Sequence, residues 1–355
     1  MTYGSDVVDR LTEWLRTQLP DIDDLRLEGL DRVEFGHSAE MMVLTIVSGA
    51  DRRDVVIRLR PPSPALLEPY DLAKQFTVLR ALEGSAVRVP RALWLEDTGD
   101  VLGRPFFVME RVPGTVYELE APSEPEDSVR RMCHSMAEQL AALHTVDIAG
   151  AGLDALADGH NHLDREIGHW SAEMERVKRG TLPALERLLR ELKGSQPAPS
   201  SAVTLVHGDA KPGNFAFVDG EVSAVFDWEL TTIGDPMTDI GYLELLWRMP
   251  VGIPSHEAAP VIDDVVAHYA AASGLTIAYR EWYRAFNAFK LAVINLIGSR
   301  LFDDGATEDH RFMLNAYGIP IFTQMGLAEL GVTEQLEDGP VMPSEERMKQ
   351  AQTAH

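Results

Sequence analysis

The order of textures along the chain constrains its fold most. Short strand-like runs come first, helical spacing dominates afterwards, and the change falls at Arg111-Val112-Pro113-Gly114. Before that break, residues 7–19 place apolar side chains at Val7, Val8, Leu11, Trp14, Leu15 and Leu19, the stripe of an amphipathic helix. Residues 41–47 and 55–59 read as strands, and Ser48-Gly49-Ala50-Asp51 between them supplies turn chemistry, so an antiparallel hairpin is predicted. Pro61-Pro62-Ser63-Pro64 interrupts regular structure ahead of a predicted helix over 70–82, and two further strands are expected at 92–96 and 105–110. Beyond the break, residues 128–144 and 163–192 carry helical spacing, the second ended by Gly194-Ser195-Gln196-Pro197-Ala198-Pro199. A strand–loop–hairpin block occupies 203–227 and turns at Asp219-Gly220, a strong hairpin signal. Residues 239–330 are again helical in pattern, and the polar stretch 337–355 reads as a flexible tail. The expected class is α+β: a small antiparallel-sheet part over 1–110 and a larger, mainly helical part over 111–336.

Charge narrows the partners. Among 355 residues there are 32 Lys and Arg against 56 Asp and Glu, a formal net charge of −24. Binding nucleic acid or an anionic membrane needs a basic face, so neither is expected as a partner. A cationic substrate is compatible with this balance, although an acidic surface for solubility is the plainer reading. Cys133 is the single cysteine, which excludes an internal disulfide framework and points to a reducing cytoplasm. Residues 1–20 lack the apolar stretch of a signal peptide. No uninterrupted apolar run approaches the roughly 18 residues of a membrane span.

The chemistry concentrates in His207-Gly208-Asp209-Ala210-Lys211-Pro212-Gly213-Asn214. Asp209 and Asn214 lie five positions apart across a loop rich in Pro and Gly, and thirteen residues later an apolar run ends in Asp227-Trp228-Glu229. A loop presenting one carboxylate and one amide, beside a strand end presenting another carboxylate, suits Mg²⁺ on phosphates. That ion takes hard oxygen ligands, few of them from protein. Singly, Asp209 and Asn214 are ordinary turn formers; the ordered set of residue types favours a site.

The block resembles the H-x-D-x-K-P-x-N loop and following metal-binding Asp of the kinase fold. With Gly208 after His207, and Asp227-Trp228-Glu229 in place of Asp-Phe-Gly, it looks like the aminoglycoside phosphotransferase and choline kinase branch. Within that branch it is most similar to the phosphotransferase subgroup that includes kinase domains attached to some acyl-CoA dehydrogenases. Val56-Ile57-Arg58-Leu59-Arg60-Pro61-Pro62, Val108-Met109-Glu110-Arg111-Val112-Pro113-Gly114 and Gly234-Asp235-Pro236 add weaker pieces, and the likeness in order and spacing runs over about residues 35–247. The resemblance implies a bilobal protein-kinase-like fold and transfer of the γ-phosphoryl group of ATP or GTP, with Mg²⁺, to the hydroxyl of a small molecule. It further implies Asp209 as the base, Lys211 as a neutraliser of charge on the transferred group, and Asn214 and Asp227 as Mg²⁺ ligands.

On the nucleotide side the resemblance places Arg58 where the third strand carries a phosphate-contacting lysine. The usual partner glutamate is replaced by Gln75, with Glu68 and Asp71 as nearby substitutes. The phosphate-covering loop falls at Phe35-Gly36-His37-Ser38-Ala39-Glu40, where the backbone at Gly36 and Ser38 would meet phosphate. The Glu110 carbonyl and the Val112 N–H would hold adenine. His207 is expected to brace the loop, Asp235 to brace it or to form a simple turn, Asp239 to cap the next helix, and His144 to cap or pack. Cys133 is expected to be a buried small hydrophobe. Glu229, Glu244, Asp263, Asp264, Asp303, Asp304, Glu308 and Asp309 either face a cationic acceptor or lie on solvated faces. Two further readings stand beside small-molecule phosphotransfer: a catalytically silent nucleotide-binding scaffold, and an aminoglycoside-modifying resistance kinase. No activation segment separates Asp227 from Gly234-Asp235-Pro236, which disfavours a protein kinase.

Overall fold

A computed structural model describes residues 5–33, 40–157, 161–200, 202–334, 336, 338–339, 341 and 344. By internal contacts the chain divides into two compact units. One takes Met1–Val116, Phe215–Val218 and Val222–Glu229; the other takes Tyr117–Asn214, Asp219–Glu221 and Leu230–His355.

The first unit is built on an antiparallel sheet. Its strands are β1 (Arg26–Val33), β2 (Glu40–Ser48), β3 (Asp51–Leu59), β4 (Ala92–Glu96) and β5 (Phe106–Glu110), in the order β1-β2-β3-β5-β4. The hairpin predicted at 41–59 is present, in register from Glu40 opposite Leu59 to Ser48 opposite Asp51. Strand β1 went unread in the sequence, because Arg26, Glu28, Asp31 and Arg32 mask its alternation and a register shift between Glu28 and Asp31 interrupts its pairing. Helix α1 (Ser5–Gln18) seals one face by burying Leu11 and Leu15 among Leu25, Met42, Leu44, Val55, Ile57 and Phe106. Each such side chain contributes about 1.5–3 kcal/mol when fully buried. Helix α2 (Leu72–Leu82) starts where Asp71 accepts the Lys74 N–H at 2.8 Å, the exchange that makes Asp a good cap. Strand β6 (Thr115–Val116) pairs with β8 (Phe215–Val218), which joins β9 (Glu221–Val225). Asp219 and Gly220 turn between the last two with φ of 53° and 81°, the left-handed pair a two-residue hairpin requires.

Among its described residues the second unit is mainly helical and carries the strand pair β7 (Thr204–Val206) and β10 (Thr232–Gly234). Helix α3 (Glu126–His144) is followed by α4 (His162–Val177) and α5 (Pro183–Gly194). The single helical stretch expected over 163–192 is therefore two helices. Lys178 ends the first in an extended conformation and Pro183 opens the second, where its missing N–H costs nothing. Helices α6 (Met237–Trp247), α7 (Ile262–Ser273), α8 (Arg280–Asp303) and α9 (Arg311–Glu329) complete the unit. Helix α8 packs against α4, α5, α6 and α9. By length and composition it is long and apolar enough to cross a membrane, yet 72% of its apolar window is buried within the protein.

Candidate active site

In the second unit the loop after β7 carries the His207–Asn214 motif, and its backbone is held from several directions. Asp239, in the first turn of α6, is wholly buried. Its carboxylate accepts the His207 N–H at 2.7 Å and the Gly208 N–H at 2.8 Å. It also accepts from His144 Nε2 at 3.0 Å, while His144 Nδ1 and the Tyr269 hydroxyl share a hydrogen bond at 2.7 Å. An ionised carboxylate only accepts, so His144 Nε2 carries a proton. Burial alone would raise the Asp239 pKa, but the His144 bond and the loop N–H bonds outweigh it and hold the group below the ordinary carboxylate range.

This corrects two expectations. Asp239 braces the loop rather than capping α6, and His144 holds Asp239 rather than merely packing. Asp235 takes the turn role, accepting the Met237 N–H at 2.9 Å and the Tyr283 hydroxyl at 2.6 Å. His207 braces the loop as expected: it is fully buried, and its Nδ1 accepts the Asp209 N–H at 3.1 Å. Gly208 adopts φ +83°, and a Cβ there would run into the Leu230 carbonyl.

Asp209 and Asn214 face each other. Asn214 Nδ2 donates to the Asp209 carboxylate at 2.8 Å and to its carbonyl at 2.7 Å. The amide nitrogen is thus turned toward Asp209, which leaves Oδ1 as the ligand-capable atom of that side chain. Lys211 pairs with Glu118 at 3.0 Å, both about a third exposed.

In the first unit Asp227 follows β9 with φ 68°, a left-handed conformation that Asp tolerates better than most residues. Arg58, on the central strand β3, is buried rather than exposed. Its Nη2 donates to Asp227 Oδ1 at 2.7 Å and to Glu229 Oε2 at 3.2 Å, and its Nε to the Tyr70 hydroxyl at 3.2 Å. Burial disfavours the guanidinium charge, but Tyr70 and the two carboxylates more than offset this and hold its pKa above the ordinary value. Burial pushes the Tyr70 hydroxyl up to about 12, so it stays a neutral donor and acceptor.

The carboxylate partner of Arg58 beside Asp227 is therefore Glu229, not a residue of α2. Gln75 is buried next to Tyr70. Glu68 accepts the Ala65 and Tyr70 N–H groups and pairs with Arg60, and Asp71 caps α2. Lys74 reaches the Glu229 carbonyl at 3.1 Å. Glu110 ends β5 opposite Val55, and Val112 lies two residues beyond. Ser38 lies outside the described residues. Cys133 is buried as expected, its thiol pushed up to about 12 by burial.

Most of the acidic residues considered for a cationic acceptor are spent on the protein's own arginines. Glu244 takes Arg280 and Arg284, Asp263 takes Arg280, Asp303 takes Arg179 and Arg300, Asp304 takes Arg179, and Asp309 takes Arg311.

The fold is that of the kinase-like phosphotransferases. A candidate aminoglycoside phosphotransferase from Ralstonia eutropha superposes with a TM-score of 0.74 at 24% identity, over 92% of this chain and 99% of that one. Aminoglycoside phosphotransferase APH(4)-Ia, solved with ADP and hygromycin B, gives 0.62 at 15% identity, over 92% and 99%. The chain belongs to the phosphotransferase enzyme family (APH), whose profile matches residues 39–286. It is 30% identical to mouse (Mus musculus) acyl-CoA dehydrogenase family member 10 over 68% of this chain and 24% of that one. It is 29% identical to rat (Rattus norvegicus) acyl-CoA dehydrogenase family member 11 over 78% and 37%. The chain thus spans about a quarter to a third of those relatives. Viomycin phosphotransferase of Streptomyces vinaceus is 28% identical over 48% of this chain and 63% of its own.

Proposed function

We propose that the protein transfers the γ-phosphoryl group of ATP or GTP to the hydroxyl of a small molecule. The observation that carries this reading is the Asp209–Asn214 pair on a loop braced by Asp239 and His207, in a chain of the phosphotransferase family. In this reading the Asp209 carboxylate orients the acceptor hydroxyl and takes its proton as the oxygen bonds to the γ-phosphorus. The bond from that phosphorus to the β–γ bridging oxygen breaks, and the nucleoside diphosphate leaves with the electron pair. Asn214 Oδ1 and the Asp227 carboxylate are hard oxygen donors that suit Mg²⁺. When bound, that ion neutralises charge on the phosphates. Lys211 adds positive charge for the transferred group, and Arg58 serves the nucleotide side while keeping Asp227 in place. The Glu110 carbonyl and the Val112 N–H are assigned to adenine, and the Ser38 backbone to phosphate. The protein is assigned to the cytoplasm.

The relatives named as acyl-CoA dehydrogenase family members favour hydroxylated acyl metabolites in the acceptor panel, beside aminoglycosides. Incubation with γ-labelled ATP and such a panel tests the reading. Label should move to one acceptor class with wild-type protein and not with Asp209→Ala, while the variant still binds nucleotide. Equal transfer by the variant would remove the base assignment. Nucleotide binding without any transfer, against active controls, would favour the silent scaffold, which the Arg58–Asp227 contact motivates.

A further inference from the structure

Helix α8 carries a basic side chain to which the roles above give no part. Lys290 lies in an apolar stretch of the helix and is 1% exposed. Its Nζ donates to the Gly208 carbonyl at 2.6 Å and stands 5.4 Å from the Trp170 ring centroid and 5.5 Å from that of Tyr242. Stripping an ammonium of water is costly, and two aromatic faces with one carbonyl replace that water only in part. Burial pushes the Lys290 pKa below its usual value, against the opposing pull of Glu166, Asp209 and Asp239. A methionine would fill the same space without desolvating a charge, so packing does not account for a lysine here.

What the lysine touches does account for it. Its acceptor is the oxygen of the peptide joining Gly208 to Asp209, and the N–H of that same peptide goes to His207 Nδ1. The N–H groups of His207 and Gly208 go to Asp239. We propose that Lys290 is a positioning residue for Asp209. Its amino group, held beside the Trp170 and Tyr242 rings, fixes the plane of the Gly208–Asp209 peptide and so sets the direction in which the Asp209 carboxylate is presented. The inference rests on the reading of Asp209 as the base, and it assigns a second layer of support that enters from α8.

The test compares wild type, Lys290→Met and Asp209→Asn as full-length chains. Two readouts are taken: ADP release from Mg·ATP with water as acceptor, and amide hydrogen exchange over residues 203–214. For Lys290→Met, kcat should fall by on the order of tenfold to a hundredfold, the usual scale for a displaced catalytic group. KM for ATP should stay within about twofold, as expected when ground-state binding is spared. Exchange at 207–209 should quicken while exchange in α6 and α8 keeps its wild-type rate. Unchanged exchange at 207–209 overturns the inference. So does an unchanged kcat where Asp209→Asn lowers it. Wild-type turnover in Asp209→Asn would instead overturn the base assignment, and exchange alone then decides whether Lys290 fixes the peptide. It decides likewise if wild type releases no ADP. Should Lys290→Met not fold, Lys290→Leu, which likewise removes the donor, is read in the same way.

Discussion

Arg58 Nη2 donates to Asp227 Oδ1 at 2.7 Å, tying the end of β3 to a residue two positions past β9 in the same unit. Glu229 shares that guanidinium, and Tyr70 holds its Nε. The arrangement explains how a left-handed Asp227 is kept in place, because its carboxylate is anchored independently of its backbone.

Removing that cation is costly. Arg58→Met takes away the positive charge that Asp227 and Glu229 share. The loss should be about 3 kcal/mol, the lower end of the scale for a broken buried pair, because Asp227 keeps a fifth of its side chain in solvent. Urea unfolding measures it. Adding Glu229→Gln should restore part of the loss, since one of the two carboxylates is then neutral. Strictly additive losses would show that the two sites do not interact.

Gly208 is fixed by conformation as much as by contact. At φ +83°, with Leu230 where a Cβ would stand, Gly208→Ala meets both strain and collision. Left-handed strain alone costs on the order of 1–3 kcal/mol. A fall in melting temperature with loss of phosphoryl transfer is expected. A variant as stable as wild type would mean that the loop rearranges freely.

Much of the scaffold was legible because its signals are local. The hairpin over 40–59 announces itself by alternation around a Gly-containing turn, and α2 by its spacing after a proline run. The motif residues themselves were legible for the same reason, packed into eight positions. Their supports were not. Asp239, His144 and Tyr269 lie far apart in sequence, and nothing at any one of them marks the chain of bonds they form. Glu229 was read for its charge and not as the partner of Arg58, because pairing across 171 positions leaves no spacing to detect. Lys290 left a faint trace, a lone cation between Phe289 and Leu291 on a buried helix. The break between α4 and α5 was visible in Gly180 and Pro183, but apolar spacing on either side concealed it.

Lys211 separates stability from function. Its pair with Glu118 is partly exposed, and such pairs contribute about 0–1 kcal/mol. Lys211→Met should therefore leave the urea midpoint nearly unchanged while lowering phosphoryl transfer. A large loss of stability would make the lysine structural.

Asp239 gives the fold a pH dependence with a definite sign. Its folded-state pKa lies below the ordinary 3.8, so the unfolded chain takes up the proton first as pH falls. The stability it contributes is fully present above about pH 4 and is lost as pH drops through the folded-state value. Asp239→Asn removes that contribution and leaves the His207 and Gly208 N–H groups with a weaker acceptor. The variant should be less stable than wild type at pH 7, by about 1–3 kcal/mol if each charge-assisted bond becomes a neutral one. Unfolding free energies measured from pH 7 to pH 3 should converge below pH 4, because only wild type still has this charge to lose. A gap of constant size across that range would show that Asp239 holds the loop by shape and not by charge.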